Sequence, residues 1–143
     1  MHEDIAGQIW EAVDHWVEGR REESARLLNT LMNTQPPNML FGIACGIAVI
    51  AKAAMQKIYG NHCDTCFWAI GAVGCASPED AVPPPALFAA RFIAATLNGD
   101  KDTALALYLA VDSRGTEQRS ECLHTLLATT GEAVLLATSG AGR

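Results

Sequence analysis

Positive charge is scarce in this chain. Over 143 residues, 10 Lys and Arg stand against 16 Asp and Glu, so the net charge is −6 at pH 7. A dedicated nucleic-acid binder needs clustered Lys and Arg to neutralise phosphates. The densest basic pair, Arg20 and Arg21, lies among acidic residues at positions 18, 22 and 23. We therefore expect no nucleic-acid partner.

Long apolar runs and an export signal are also missing. The longest fully apolar run, residues 39–51, is 13 residues long, whereas a transmembrane helix needs about 20. The first residues, MHEDIAGQ, are acidic rather than basic, unlike the start of a secretory signal. These features predict a cytoplasmic protein with no membrane partner. The Ala-rich, Lys-poor composition is typical of a bacterial chain.

The familiar catalytic signatures are absent from the sequence. It contains no Gly-rich phosphate loop, no nucleophile elbow and no H-E-x-x-H motif. Acidic and histidine side chains do occur together on the first predicted helix, but helical surfaces collect such residues without any catalytic role. The sequence therefore favours a protein that is not an enzyme.

Helical periodicity dominates what is present. Apolar residues from Ile5 to Val17 recur at the spacing of one helical face, and the same pattern returns in most later segments. Pro36 and Pro37 interrupt it, Asn38 is placed to cap the next helix, and residues 39–58 are apolar on nearly every face. The sequence predicts an all-α, single-domain protein over 1–143, a bundle of six or seven helices.

The two ends of the chain follow the same order of elements. The segments 17-VEGRREESARLLNTLM-32 and 97-LNGDKDTALALYLAV-111 each place a glycine after an apolar helix, then charges, then a helix packed through Ala25 or Ala104. A longer helix follows each of them, and the last of these is expected to bend at Gly131. We predict two similar halves of a helical hairpin plus a long helix, about 1–76 and 85–138, joined by the Pro-rich segment 77–85.

The later hairpin, about residues 88–111, resembles a tetratricopeptide unit. In 98-NGDKDTALALY-108, Gly99 and Asp100 occupy the turn, Ala104 the small position of the second helix, and Tyr108 the aromatic position four residues later. Phe88 matches the bulky start of the first helix. The resemblance implies a helical scaffold that presents a groove to a partner peptide.

The stretch 61-NHCDTCFW-68 is the candidate site for thiol chemistry. Cys63 and Cys66 have the spacing of one half of a zinc site, although a second pair of ligands is not evident. The same C-x-x-C could act in redox chemistry if a helix began near Cys66. A third interpretation treats both residues as buried apolar side chains, because free cysteine is among the most buried residue types. The odd total of five cysteines argues against a disulfide framework.

Two residues are predicted to contact a partner. Trp10 lies at the edge of the first apolar stripe, and Arg91 interrupts the apolar run 86-ALFAARFIAA-95. A guanidinium there must extend to the surface or pair with an acid. The leading hypothesis is a non-enzymatic helical interaction or scaffold module that binds a protein partner or forms a homodimer. The alternative is a thiol-dependent protein that uses Cys63 and Cys66 for zinc binding or redox chemistry, and otherwise we expect no cofactor.

Overall fold

The fold is all-α, as predicted. The computed structural model describes residues 5–59 and 83–138, and within these ranges it contains helices and turns but no β-strand. Six α-helices and one short 3₁₀ helix make up the described chain. They are α1 (Ile5–Val17), α2 (Arg21–Thr34), the 3₁₀ helix (Pro37–Met39), α3 (Leu40–Tyr59), α4 (Pro84–Leu97), α5 (Lys101–Asp112) and α6 (Thr116–Thr138).

The turns after α1 and α4 have the same backbone geometry. Gly19 and Gly99 have φ angles of +87° and +68°, a region that only glycine enters without strain. In both turns the glycine amide donates to the carbonyl three residues earlier at 3.1 Å. The next amide donates to the carbonyl five residues earlier at 2.8 Å. These bonds satisfy the free carbonyls at the helix ends, so each glycine both ends a helix and starts a hairpin.

The small residue at the crossing of the first hairpin is Ser24, not Ala25. Ser24 is fully buried and its hydroxyl donates to the carbonyl of Ala12 at 2.7 Å, whereas Ala25 is only partly buried. A serine is tolerated in this core position because that hydrogen bond satisfies it. Ser24 and Ala104 each lie five residues after the turn glycine. Ser24 therefore occupies in the first hairpin the position that Ala104 occupies in the second.

The long helices α3 and α6 form the centre of the fold and pack against each other more extensively than any other pair. Helix α4 lies against both of them, and α1 contacts α2, α6 and, less extensively, α3. Large side chains from these helices fill the core completely. Those with almost no exposed surface include Val13, Leu28, Leu31, Leu40, Ile43, Ile47, Phe92, Ile93, Leu123 and Leu126.

Helix α3 is apolar on its outer face as well as on its buried one. By length and composition alone, the stretch Pro37–Ile58 is long and apolar enough to cross a membrane. The central helix of a packed protein can be equally long and apolar. Only 44% of the most apolar window within Pro37–Ile58 is buried. Apolar positions of α3 therefore remain at the surface of the described fold.

Three local predictions have separate outcomes. Asn38 does not cap α3, because residues 37–39 form the 3₁₀ helix and α3 starts only at Leu40. Helix α6 passes through Gly131 without interruption. The division into two similar halves stays a prediction, as does the tetratricopeptide resemblance of the second hairpin.

Candidate functional site

The structure does not bring the two predicted partner residues to one site. Trp10 on α1 is 48% exposed, and it borders a groove between α1 and α3. Arg91 on α4 is exposed, while its neighbours Ala90 and Phe92 are buried. The Arg91 guanidinium makes no ion pair with the described residues and borders neither of the two cavities below. Trp10 is the better interface candidate of the two.

The predicted thiol site, Cys63 and Cys66, lies outside the described residues. Zinc binding or redox chemistry there stays a prediction, which native mass spectrometry of protein purified without chelator tests. Neither of the described cysteines forms a disulfide: Cys122 is buried and Cys45 is partly buried. No group of three His, Cys, Asp or Glu residues in 5–59 and 83–138 is arranged to hold a metal ion.

The apolar groove lies between the first half of α1 and the outer face of α3. Its volume is about 420 Å³, and none of its lining residues is charged or carries a polar side chain other than the Trp10 indole N–H. Met39 and Val49, at 39% and 55% exposure, stand with Trp10 at its edge. The lining residues are Ile5, Ala6, Ile9, Trp10, Met39, Gly42, Ile43, Gly46, Val49, Ile50 and Ala53.

Two glycines of α3 form part of this groove but differ in what surrounds them. A Cβ added to Gly46 would lie 2.8 Å from Cδ1 of Ile9, so this glycine lets α1 approach α3 within the fold. A Cβ added to Gly42 would meet nothing within 4 Å. Internal packing therefore explains Gly46, whereas Gly42 faces the open groove.

The second cavity, which we call the basic cavity, lies between α3 and the turn that joins α4 to α5. Its volume is about 630 Å³, within the range of small-molecule sites. Phe41, Cys45, Val49, Ala53, Ala95 and Ala104 supply apolar walls, and Lys52, Gln56, Thr96, Gly99, Asp100 and Lys101 complete the lining.

The charged side chains of the basic cavity differ in the hydrogen bonds and ion pairs that they make. Asp100 caps α5: its carboxylate accepts from the Thr103 amide at 3.1 Å and from the Thr103 hydroxyl at 2.6 Å, and these bonds lower the pKa of Asp100. Neither Lys52 nor Lys101 makes an ion pair with any described residue. Burial raises the pKa of the Cys45 thiol, and the nearby Lys101 charge opposes that rise only in part. The cavity thus contains a neutral thiol and two lysines that have no ion-pair partner among residues 5–59 and 83–138.

The turn after α1 makes a corresponding contact with α6, and there the space is filled. We call the contact between the α1–α2 turn and α6 the first junction. The contact between the α4–α5 turn and α3 is the second junction. Trp16 packs its indole on Gly131 of α6 and is 9% exposed. It lies three residues before the turn glycine of the first junction, and Thr96 lies three residues before that of the second. The Arg21 guanidinium lies 4.0 Å from the centre of the indole. Arg21 follows Gly19 by two residues, just as Lys101 follows Gly99.

The lysines of the basic cavity were not predicted from the sequence. Lys52 and Lys101 are 49 positions apart in the chain, and only the packing of the α4–α5 turn against α3 brings them to one cavity. A usable signal did exist, because Lys52 ends the apolar run 39–51 in the middle of a helix, much as Arg91 interrupts the run 86–95. No protein-family model, no curated protein and no solved structure matches the chain, so the geometry of the groove and the cavity carries the functional argument.

Proposed function

We propose that this protein is a non-enzymatic interaction module that binds an amphipathic helix of a protein partner in the apolar groove between α1 and α3. The observation that carries the proposal is the exposed group Trp10, Met39 and Val49 around a groove with no charged lining residue. Grooves of this kind bind helices through apolar side chains spaced at i, i+3, i+4 and i+7.

The outer faces of the two long helices differ in a way that supports this choice. Over residues 40–58, the exposed positions of α3 are Gly42, Val49, Ala53 and Lys57, of which only the last is polar. Over residues 116–132, every exposed position of α6 is polar: Thr116, Glu117, Gln118, Glu121 and Glu132. Exposed apolar residues, Leu135 and Leu136, occur on α6 only near its end. A helix face that contacts solvent is normally polar, whereas an apolar face at the surface is typical of an interaction site.

The dimensions of the groove suit a helix of a few turns. From Met39 to Ala53 the chain rises about 1.5 Å per residue, which gives an apolar surface of roughly 20 Å. Trp10 forms one edge of it, and a half-exposed tryptophan in such a position is a frequent source of binding energy. Gly42 leaves room for a side chain of the partner to approach the α3 backbone.

Charge decides between a foreign helix and a second copy. The chain carries a net charge of −6, and the exposed Asp14 follows Trp10 by one helical turn on α1, just outside the residues that line the groove. A second copy would bring the same negative charge to the interface, whereas a helix with basic residues beside its apolar face is attracted to it. The proposed partner is therefore a basic amphipathic helix.

Two synthetic helical peptides test the proposal. Both carry the same Leu face, and the remaining positions are Lys in one and Glu in the other. We expect the Lys peptide to bind the full chain in fluorescence anisotropy and the Glu peptide to bind more weakly at low salt. Trp10→Ala should weaken binding about tenfold or more. Gly42→Leu should do the same by filling the groove, because a Cβ at this position meets no atom within 4 Å.

Leu109→Ala is the matched control, because Leu109 on α5 is 53% exposed but borders neither cavity. Its affinity should equal that of the unmodified protein. If neither peptide binds, or if Leu109→Ala and Gly42→Leu weaken binding equally, the groove is not the binding site. A dimer in sedimentation that Gly42→Leu dissociates would replace the foreign helix by a second copy and would also overturn the proposal.

A further inference from the structure

We infer that the basic cavity binds a small aromatic carboxylate, a flat ring system of about the size of an indole with one acidic group. This ligand site is separate from helix binding in the apolar groove and does not rest on it. The two sites share only Val49 and Ala53, which stand on the ridge of α3 between them. The cavity walls, the first junction and the unpaired lysines each support the inference.

The walls of the basic cavity offer apolar and aromatic surface that suits contact with an aromatic ring. Phe41 and the side chains of Cys45, Val49, Ala95 and Ala104 provide apolar surface on several sides. Phe41 is itself held in an aromatic cluster, with its ring centre 6.2 Å from that of Phe92 and 5.5 Å from that of Tyr108. A fixed aromatic wall of this kind favours stacked or edge-on contact with a second ring.

The first junction shows what kind of group fits between such a turn and a long helix. There the indole of Trp16 fills the space, in contact with Gly131 and with the Arg21 guanidinium 4.0 Å from the ring centre. In the second junction Thr96 stands in the place of Trp16 relative to the turn glycine, and Lys101 in the place of Arg21. The protein thus supplies the cation and the walls but not the ring.

Charge specifies an acid rather than a neutral or basic ring. The chain has three lysines in all, and two of them, Lys52 and Lys101, line this one cavity without an ion pair in the described part of the fold. The one carboxylate present, Asp100, already accepts two hydrogen bonds from Thr103. A bound carboxylate would give the two lysines a charged partner that the described residues do not provide.

Three probes of the same ring system separate these contributions. Indole-3-acetate carries a carboxylate, indole is neutral, and tryptamine carries an ammonium group. In titration calorimetry with the full chain we expect indole-3-acetate to bind more tightly than indole, and indole more tightly than tryptamine. The difference should shrink as salt is added, because both lysines are at least partly exposed.

Substitutions in the cavity give the second part of the test. Lys52→Gln and Lys101→Gln should each weaken indole-3-acetate binding by about three- to tenfold, since each removes one exposed charge contact. Lys57→Gln is the matched control, because Lys57 is an exposed lysine of the same helix that does not border the cavity. Thr96→Trp should place an indole in the cavity, abolish binding of all ring probes and raise the melting temperature.

Several results would overturn the inference. Equal affinity for tryptamine and indole-3-acetate would remove the charge argument, and an equal loss in Lys57→Gln would show non-specific attraction. Undiminished binding to a folded Thr96→Trp variant would place the ligand elsewhere. No heat of binding from any probe, together with an unchanged melting temperature in their presence, would show that the cavity takes no such ring.

Discussion

The two junctions combine the same turn with different contents. Both have a positive-φ glycine, the same pair of backbone hydrogen bonds and a cationic residue two positions after the glycine. In the first junction Trp16 closes the space against α6, and in the second a threonine leaves a cavity of about 630 Å³ against α3. One junction is therefore part of the core and the other is available to a ligand.

The comparison separates stability from function within one kind of structure. A filled junction contributes the burial of a large aromatic ring, whereas an open one gives up that stabilisation. The open junction and the apolar groove both lie along α3, the helix whose outer face is apolar. We therefore expect substitutions in the first junction to change the free energy of unfolding, and those along the outer face of α3 to change binding.

The largest expected effect is that of emptying the first junction. Trp16→Ala should lower the free energy of unfolding by about 3–5 kcal/mol, because it removes a buried ring and leaves a cavity between α1 and α6. Thr96→Ala, the matched change in the second junction, should cost less than about 1 kcal/mol. Urea denaturation of both variants measures the difference. Equal losses would contradict the distinction between a filled and an open junction.

A smaller effect is expected from crowding the first junction. A Cβ at Gly131 would lie 2.5 Å from Cε3 and 2.8 Å from Cδ2 of Trp16, a rigid ring that cannot fold aside. Gly131→Ala should therefore destabilise the protein by about 1–2 kcal/mol, since the overpacking penalty exceeds the gain of about 1 kcal/mol in helix propensity. Gly42→Ala, where the space is open, should be neutral or stabilising.

A double-mutant cycle shows whether Trp16 is the cause of that effect. In the Trp16→Ala background the ring is gone, so Gly131→Ala should no longer destabilise and should recover up to about 1 kcal/mol. Denaturation of the four proteins gives the interaction energy. Additive losses would mean that Gly131 is required for some other contact of α6.

The sequence predicts those features of the fold whose pattern lies within one short segment of the chain. The helices and the Gly19 and Gly99 turns follow from apolar periodicity and glycine, and the structure confirms them within the described ranges. Ser24 was missed because a polar residue does not count toward an apolar stripe, although its hydrogen bond to Ala12 lets it be buried. The role of Gly131 and the pairing of Lys52 with Lys101 depend on contacts between distant segments, which no local pattern encodes.

The smallest expected effect concerns a polar contact between the first hairpin and α6. Nε2 of His124 on α6 lies 2.8 Å from Oδ1 of Asn29 on α2. Burial lowers the pKa of His124 below its ordinary value. The unfolded chain therefore binds a proton at a higher pH than the folded chain, so this contribution to stability is complete above the ordinary pKa and is lost as pH falls toward the lowered one.

Denaturation midpoints between about pH 7 and about pH 5.5, the range in which an ordinary histidine titrates, measure this contribution. His124→Gln should flatten the loss of stability over that range, because it removes the titrating ring. Asn29→Asp should weaken or reverse the loss, because a carboxylate beside Nε2 favours the charged imidazole in the folded state. If both variants kept the slope of the unmodified protein, the acid sensitivity would arise from other groups, and the contact between α2 and α6 would not respond to pH.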